Sequence, residues 1–373
     1  MKEYRLNMLS RADMVKGQGV LSAYEEELRL ISGRLDRIHG DSGDFKLNIS
    51  INDKIDGDIT HIHTVNPEFF LRLPAIKSKG IAVGSVHFLP ETMDQSLHLP
   101  SVARQAFYSY LISFYKSMDR LVTVNPCFIP KLAAYGIDPQ KVTFIPNYVS
   151  GSVFSTVDRR QVKELRSSWG LDPERFTVVC AGQLQTRKGV LEFAQIAKAL
   201  PQMQFVWAGD FAFGGMSDGH KELEKLLHDH SDNLHFTGLI ERAKMPQLYQ
   251  LGDVMLLPSY DELFPMTVLE AMSCGKPILL RDLSLYQVIL DGYYLKAADN
   301  RQFIAQLVQL SRDEAYYARA CEMSARGNRF YSEEHVLGMW QEFYHLCLQE
   351  SLQRQSERRR RSPVVQLAGG GWR

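Results

Sequence analysis

No run of about 18 uninterrupted apolar residues occurs in the chain, so no segment is expected to span a bilayer and any membrane role is peripheral. The opening Met1-Lys2-Glu3-Tyr4-Arg5-Leu6 lacks the apolar stretch that a secretory signal needs. Cysteine is scarce and scattered. Cys127, Cys180, Cys274, Cys321 and Cys347 are odd in number and have no CxxC spacing, which fits a reducing cytoplasm and argues against a disulfide framework or a structural zinc site. Neither sign of charge is in excess, with 43 Lys and Arg against 43 Asp and Glu, so global electrostatics point to no nucleic-acid partner. No solenoid-type repeat is present. What remains is an ordinary globular composition, 45% hydrophobic and 23% charged, over 373 residues, enough for two domains.

The apolar pattern alternates between short strands and longer helices. Leu6 to Leu9 reads as a strand, followed by a loop with Lys16-Gly17-Gln18-Gly19-Val20 and a helical pattern from Leu21 to Ile38. Strand, glycine loop and helix open nucleotide-type α/β domains, although a GxG serves a plain tight turn equally well. Asp58 to Thr64 alternates as a strand that ends at Asn66-Pro67. It would put His61 and His63 on one face, the start of a metal site, but no third ligand stands at a recognisable spacing and none is expected. Ile81 to Val86 is a buried strand with His87 at its carboxyl end, where open α/β sheets place ligand contacts and where a structural histidine fits as well. Ser101 to Met118 is helical and rich in aromatics; it packs on a sheet or, with Arg104 and Lys116, meets a lipid interface. Strands at Leu121–Val124 and Val142–Ile145 follow, and the pattern weakens between Ser150 and Arg175 as at a domain junction. A second series runs through strands at Phe176–Gly182, Gln204–Gly209, Leu234–Thr237 and Asp253–Leu257, and the chain closes on an amphipathic helix over Arg329–Leu348. The alternation predicts two parallel-sheet α/β domains.

Chemistry concentrates between Asp261 and Pro277. Glu262 and Glu270 stand eight positions apart, with Pro265 between them and Gly275-Lys276-Pro277 behind. Proline suits the first turn of a helix and glycine its end, so Glu262 falls in the loop ahead of a helix and Glu270 two turns along it. A helix start offers N–H groups and positive dipole to a diphosphate, though acids around a helix start are also common on plain surface helices. Gly182-Gln183-Leu184-Gln185-Thr186-Arg187-Lys188-Gly189 lies between a strand and a helix and brings two cations to the same sheet edge, Arg187 as a bidentate fork and Lys188 as a point charge.

This combination resembles the retaining nucleotide-sugar glycosyltransferases of family four. The likeness rests on Glu262-x7-Glu270 with Phe264-Pro265 and Leu269-Glu270-Ala271, on Lys188-Gly189, Pro258-Ser259 and Ile145-Pro146-Asn147, and it covers nearly the whole chain. It implies a GT-B fold, two Rossmann-like parallel-sheet domains facing a cleft, with a C-terminal helix returning to the first. The divisions are an acceptor-side domain over 1–155, a donor domain over 156–330, a terminal helix over 331–350, and a basic tail over 351–373 that contains Arg358 to Arg361, is expected to be disordered, and is either solvated or drawn to an anionic leaflet.

The resemblance also implies roles. Glu270 binds the donor ribose, Glu262 lies near the donor sugar, and the segment Phe264-Pro265-Met266 lies close by, offering the backbone N–H groups of Phe264 and Met266. Arg187 and Lys188 hold the diphosphate. Gly17 and Gly19 approach the donor, His87 approaches the sugar, and Asn147 sits at the interdomain turn. No metal or other cofactor is implied, and no residue stands out as a covalent nucleophile. Two departures mark a subgroup. Gly182-Gln183 replaces a usual Gly-Arg, and Leu280-Arg281-Asp282-Leu283-Ser284-Leu285-Tyr286 replaces a glycine-rich loop. Together with Gly17-Gln18-Gly19-Val20, Val86 to Thr92 and Gln185 to Val190, these resemble bacterial diglycosyl diacylglycerol synthases at the cytoplasmic membrane face. The expected activity is transfer of glucose or galactose from a UDP-sugar to monoglucosyldiacylglycerol. Another acceptor (a polysaccharide or other lipid), a UDP-sugar epimerase of the same architecture and a non-catalytic nucleotide-sugar-binding protein are the alternatives.

Overall fold

The computed structural model describes residues 2–12, 19–35, 44–93, 101–211, 219–262 and 264–361. It divides into one unit of Met1–Val124, Phe128–Ile145 and Leu337–Arg373 and another of Asn125–Cys127 and Pro146–Val336.

The first unit is built on six parallel strands: β1 (Lys2–Leu9), β2 (Phe45–Ile51), β3 (Ile59–Ile62), β4 (Ile81–Val86), β5 (Arg120–Thr123) and β6 (Val142–Phe144), in the order β2-β1-β3-β4-β5-β6. Ile-Thr-His-Ile and Ile-Ala-Val-Gly-Ser-Val are buried along their whole length, as expected of strands covered on both faces. Parallel neighbours need crossovers, here the helices Pro67–Lys79 and Ser101–Lys116. Asn66-Pro67, read above as a strand end, opens the first of these helices, with Pro67 in its first turn where a missing N–H is harmless. The second helix buries Leu111, Phe114 and Tyr115 against the sheet, and Tyr110 Oη donates to the Val65 carbonyl at 2.8 Å. β2, absent from the sequence reading, has the strict alternation Phe-Lys-Leu-Asn-Ile-Ser-Ile.

The terminal helix runs over Glu333–Arg361, and from Leu337 onward it belongs to this first unit. It buries Trp340, Phe343, Tyr344, Cys347 and Leu348. The segment after Gln349, expected as a disordered tail, instead continues this helix as far as Arg361, because it has partners at the sheet. Ser351 Oγ donates to the Asp58 carbonyl at 2.8 Å, Arg354 pairs with Asp119 at 3.0 Å and Glu350 pairs with Arg120. Residues 362–373 lie outside the described residues.

The second unit carries β7 (Thr177–Ala181), β8 (Gln204–Ala208), β9 (Leu234–Phe236), β10 (Val254–Leu257), β11 (Ile278–Arg281) and β12 (Leu295–Ala297), all parallel, in the order β12-β11-β10-β7-β8-β9. Phe193 meets Phe205 and Trp207 edge-to-face at 5.5 and 5.2 Å within its core. The strand order reverses between β7 and β10. In open α/β sheets the crevice at that reversal, outside the carboxyl ends of the strands, is where ligands bind. The two loops that leave it are Gly182 to Gly189 and Pro258 to Glu262.

Candidate functional site

These two loops are tied together. The Arg187 carbonyl accepts from Tyr260 N at 2.8 Å and from Ser259 Oγ at 3.1 Å, and Ser259 Oγ also reaches the Asp261 carbonyl at 3.1 Å. Ser259 is fully buried, which is why a small hydroxyl follows Pro258. Gly189, at φ +74°, begins the helix Val190–Ala199; a Cβ there would come within 2.4 Å of the Pro258 carbonyl oxygen. Only glycine permits both that backbone and that approach.

On this frame Lys188 Nζ donates to Glu262 Oε1 at 2.5 Å, with the side chains 15% and 5% exposed. Arg187 reaches the Asp261 carbonyl at 3.3 Å. Two cations and one carboxylate thus converge at the sheet's carboxyl edge. Gln183 lies half-buried in the same loop.

Arg281 braces the frame from behind. Its Nε donates to the Pro258 carbonyl and its Nη1 to the Ala298 carbonyl, both at 3.0 Å, and its guanidinium lies 3.9 Å from the centre of the Tyr260 ring. The residue that departs from the family pattern therefore supports the Pro258 loop. Tyr286, further along the same departure, is fully buried, and burial pushes its hydroxyl well above the ordinary tyrosine range, with Glu262 adding to the shift.

The helix after the Pro258 loop spans Met266–Ser273. Pro265, expected within its first turn, is its N-cap residue, with extended backbone. At the other end Gly275, at φ +70°, donates to the Met272 carbonyl and Lys276 to the Ala271 carbonyl, a Schellman closure. Phe264 is half-buried and packs edge-on to Tyr331 at 5.7 Å.

Glu270 has neighbours of its own. It is buried, accepts from Tyr249 Oη at 2.6 Å, and pairs through its other oxygen with Arg242. Neither partner stands in a motif. The one available signal was position, since Arg242 follows β9 at the same sheet edge.

In the first unit Gly19 is the first residue of the helix Gly19–Ile31, and Gly17 lies outside the described residues. His87 follows β4, and its Nε2 is buried with no hydrogen-bond partner among the described residues. Burial pushes its pKa down to about 4, so the imidazole is neutral near pH 7. The chain leaves this unit at Ile145, so Asn147 stands just beyond the passage between units.

His61 and His63 do share a face, and a third group joins them from an unexpected quarter. Glu27, on the helix Gly19–Ile31, lies 3.6 Å from His61 Nδ1 and 3.8 Å from His63 Nδ1. Both ring nitrogens of His61 are already engaged, Nδ1 with Tyr344 Oη at 2.8 Å and Nε2 with Ser85 Oγ at 2.9 Å. Burial pushes the Glu27 carboxyl up to about 8 and His61 down to about 3. These groups are held as a hydrogen-bonded neutral cluster between sheet and terminal helix.

Against known proteins, residues 175–313 match the family model "Glycosyl transferases group 1". Over 343 residues the chain is 42% identical to the alpha-galactosylglucosyldiacylglycerol synthase of Streptococcus pneumoniae, covering 92% of this chain and 90% of that one. The chain belongs to the group 1 glycosyltransferases. This glycosyltransferase is also 21% identical, over 66% of its length, to the processive diacylglycerol alpha-glucosyltransferase of Acholeplasma laidlawii, 73% of which is covered. Among solved structures, Anabaena HepE in complex with UDP-glucose matches with a TM-score of 0.70 at 12% identity, covering 92% of this chain and 99% of that one. Sucrose-phosphate synthase of Thermosynechococcus elongatus matches with a TM-score of 0.67 at 15% identity, covering 92% and 98%. At such identities the likeness concerns the fold, which is the two-domain α/β GT-B architecture.

Proposed function

We propose that this glycosyltransferase moves a hexose, glucose or galactose, from a UDP donor to a membrane glycolipid with retention of configuration. The acceptor is monoglucosyldiacylglycerol and the product a diglycosyldiacylglycerol. The observation that carries the donor half is the fastening of Arg187 and Lys188 to Asp261 and Glu262 by loops that leave the sheet at its reversal point. The pneumococcal relative, an alpha-galactosylglucosyldiacylglycerol synthase, supports the acceptor half, and the HepE complex with UDP-glucose supports the donor.

Breaking a sugar–phosphate bond builds positive charge on the anomeric carbon and negative charge on the leaving diphosphate. Arg187 and Lys188, fixed before the donor arrives, meet that negative charge without reorganising, and no metal is needed for this step. Glu262 takes the transferred sugar and Glu270 the ribose. His87, neutral near pH 7, contributes a hydrogen bond to the sugar and no charge. The enzyme works peripherally at the inner face of the cell membrane. In support, no helix among the described residues is long and apolar enough to cross a membrane, and the helix Ser101–Lys116 leaves Val102 82% exposed.

Steady-state transfer by two variants tests the division of labour. Glu270→Ala raises the donor KM, while Glu262→Ala mainly lowers kcat. Wild-type rates in both would sink the assignment.

A further inference from the structure

Glu270 is an awkward ligand for a sugar if taken alone. Its side chain is 2% exposed and both oxygens already accept hydrogen bonds, Oε1 from Arg242 and Oε2 from Tyr249 Oη. The two partners differ in setting. Tyr249 is fully buried on the helix Met245–Leu251 and holds its oxygen from within. Arg242 comes from the short turn Arg242–Lys244, its side chain 57% exposed and its guanidinium 5.2 Å from the centre of the Phe154 ring. The solvent-side approach to Glu270 therefore passes an arginine fork.

A carboxylate oxygen has two lone pairs and a guanidinium has five N–H donors in one plane. A vicinal diol complements that pair, because each hydroxyl both donates and accepts. We propose that Arg242 and Glu270 act together as a ribose clamp, the diol donating to the Glu270 carboxylate and accepting from Arg242. The ligand class is a ribonucleoside diphosphate, discriminated from its deoxy counterparts. Phe154 limits the swing of the guanidinium, and Tyr249 is a positioning residue that fixes the carboxylate plane. The clamp rests on the donor reading above, since it needs a nucleoside diphosphate in this unit.

Calorimetric titration of the full chain with UDP, 2′-deoxy-UDP and 3′-deoxy-UDP tests it, using wild type, Arg242→Ala and Arg242→Lys. Wild type should bind UDP about tenfold or more tighter than at least one deoxy analogue, a site built for a hydroxyl rejecting the analogue that lacks it. Arg242→Ala should weaken UDP by about tenfold and erase most of that difference. Arg242→Lys should restore only part of it, because a point charge cannot replace the fork. Retained discrimination in Arg242→Ala, with affinity unchanged or reduced equally for all three nucleotides, would overturn the clamp and leave the donor reading standing. Failure of wild type to bind UDP would overturn both.

Discussion

Single residues divide into those a motif announces and those only the fold assembles. Glu262, Arg187 and Lys188 were legible because each stands in a loop that follows an apolar strand, and such loops share one sheet edge. Arg242 and Tyr249 were not, because their tie to Glu270 crosses from one crossover segment to another with no fixed spacing. Glu27 was missed for the same reason: the partner for His61 and His63 comes from another element. Lys188→Ala removes one partner of a pair that is mostly buried, so it should cost about 3 kcal/mol in urea denaturation as well as donor turnover. Lys188→Arg should recover more of the stability than of the turnover.

The Glu27 cluster gives a pH signature. The folded-state pKa of Glu27, about 8, lies above the ordinary 4.5, so between those values the native state keeps a proton the unfolded chain releases, and stability falls as pH rises. His61 at about 3 and His87 at about 4 lie below the ordinary 6.5, and His63 is lowered too, so stability falls as pH drops below 6.5. The groups facing Glu27 are His61, His63 and Tyr344, and the Tyr344 hydroxyl is raised well above the ordinary range. Stability should peak just below pH 7 and then decline by about 0.5 kcal/mol toward pH 8, because deprotonation of the histidines in the unfolded chain offsets most of the Glu27 loss. Glu27→Gln keeps the shape without the charge and should abolish that decline in urea melts at the two pH values; an unaltered slope would remove Glu27 as its cause.

At the scale of elements, what was legible followed the strength of the local signal. The glycines that end and begin helices, Gly275 and Gly189, are where backbone conformation demands them, and the chain punctuates itself there. Pro265 caps its helix from one residue outside the first turn, and Asn66-Pro67 both follows a strand and opens a helix, because proline marks a helix start and a strand stop alike. The terminal helix outran its expected end because buried Ser351 and the Arg354–Asp119 pair lie beyond the apolar stripe. Gly189→Ala tests the element that matters most to the site. With a left-handed backbone and the Pro258 carbonyl in the way, it should lose roughly 2 kcal/mol or more and loosen the Arg187–Ser259 tie. Calorimetry should then show weaker UDP binding in the folded fraction.

For the whole molecule, the alternation of strand and helix was enough to foresee two parallel sheets. That residues from Leu337 onward belong to the first unit follows from the family resemblance and not from the alternation, since burial along a long helix is decided by distant partners. Truncation after Gln349 should therefore destabilise the first unit through loss of the Ser351 and Arg354 contacts, and is a poor probe of membrane binding. Replacing Arg358, Arg359 and Arg360 with Glu is better. It should reduce sedimentation with anionic vesicles and leave neutral vesicles unaffected; equal binding to both would make the basic run a solvated face.

The most direct measurement of the central claim is transfer itself. Purified protein is incubated with labelled UDP-glucose or UDP-galactose and monoglucosyldiacylglycerol, and the lipid fraction is chromatographed. A glycolipid hexosyltransferase gives labelled diglycosyldiacylglycerol that depends on acceptor and is lost in Glu262→Ala. Conversion of the donor to another UDP-sugar without acceptor, or donor binding with no labelled lipid, would contradict it.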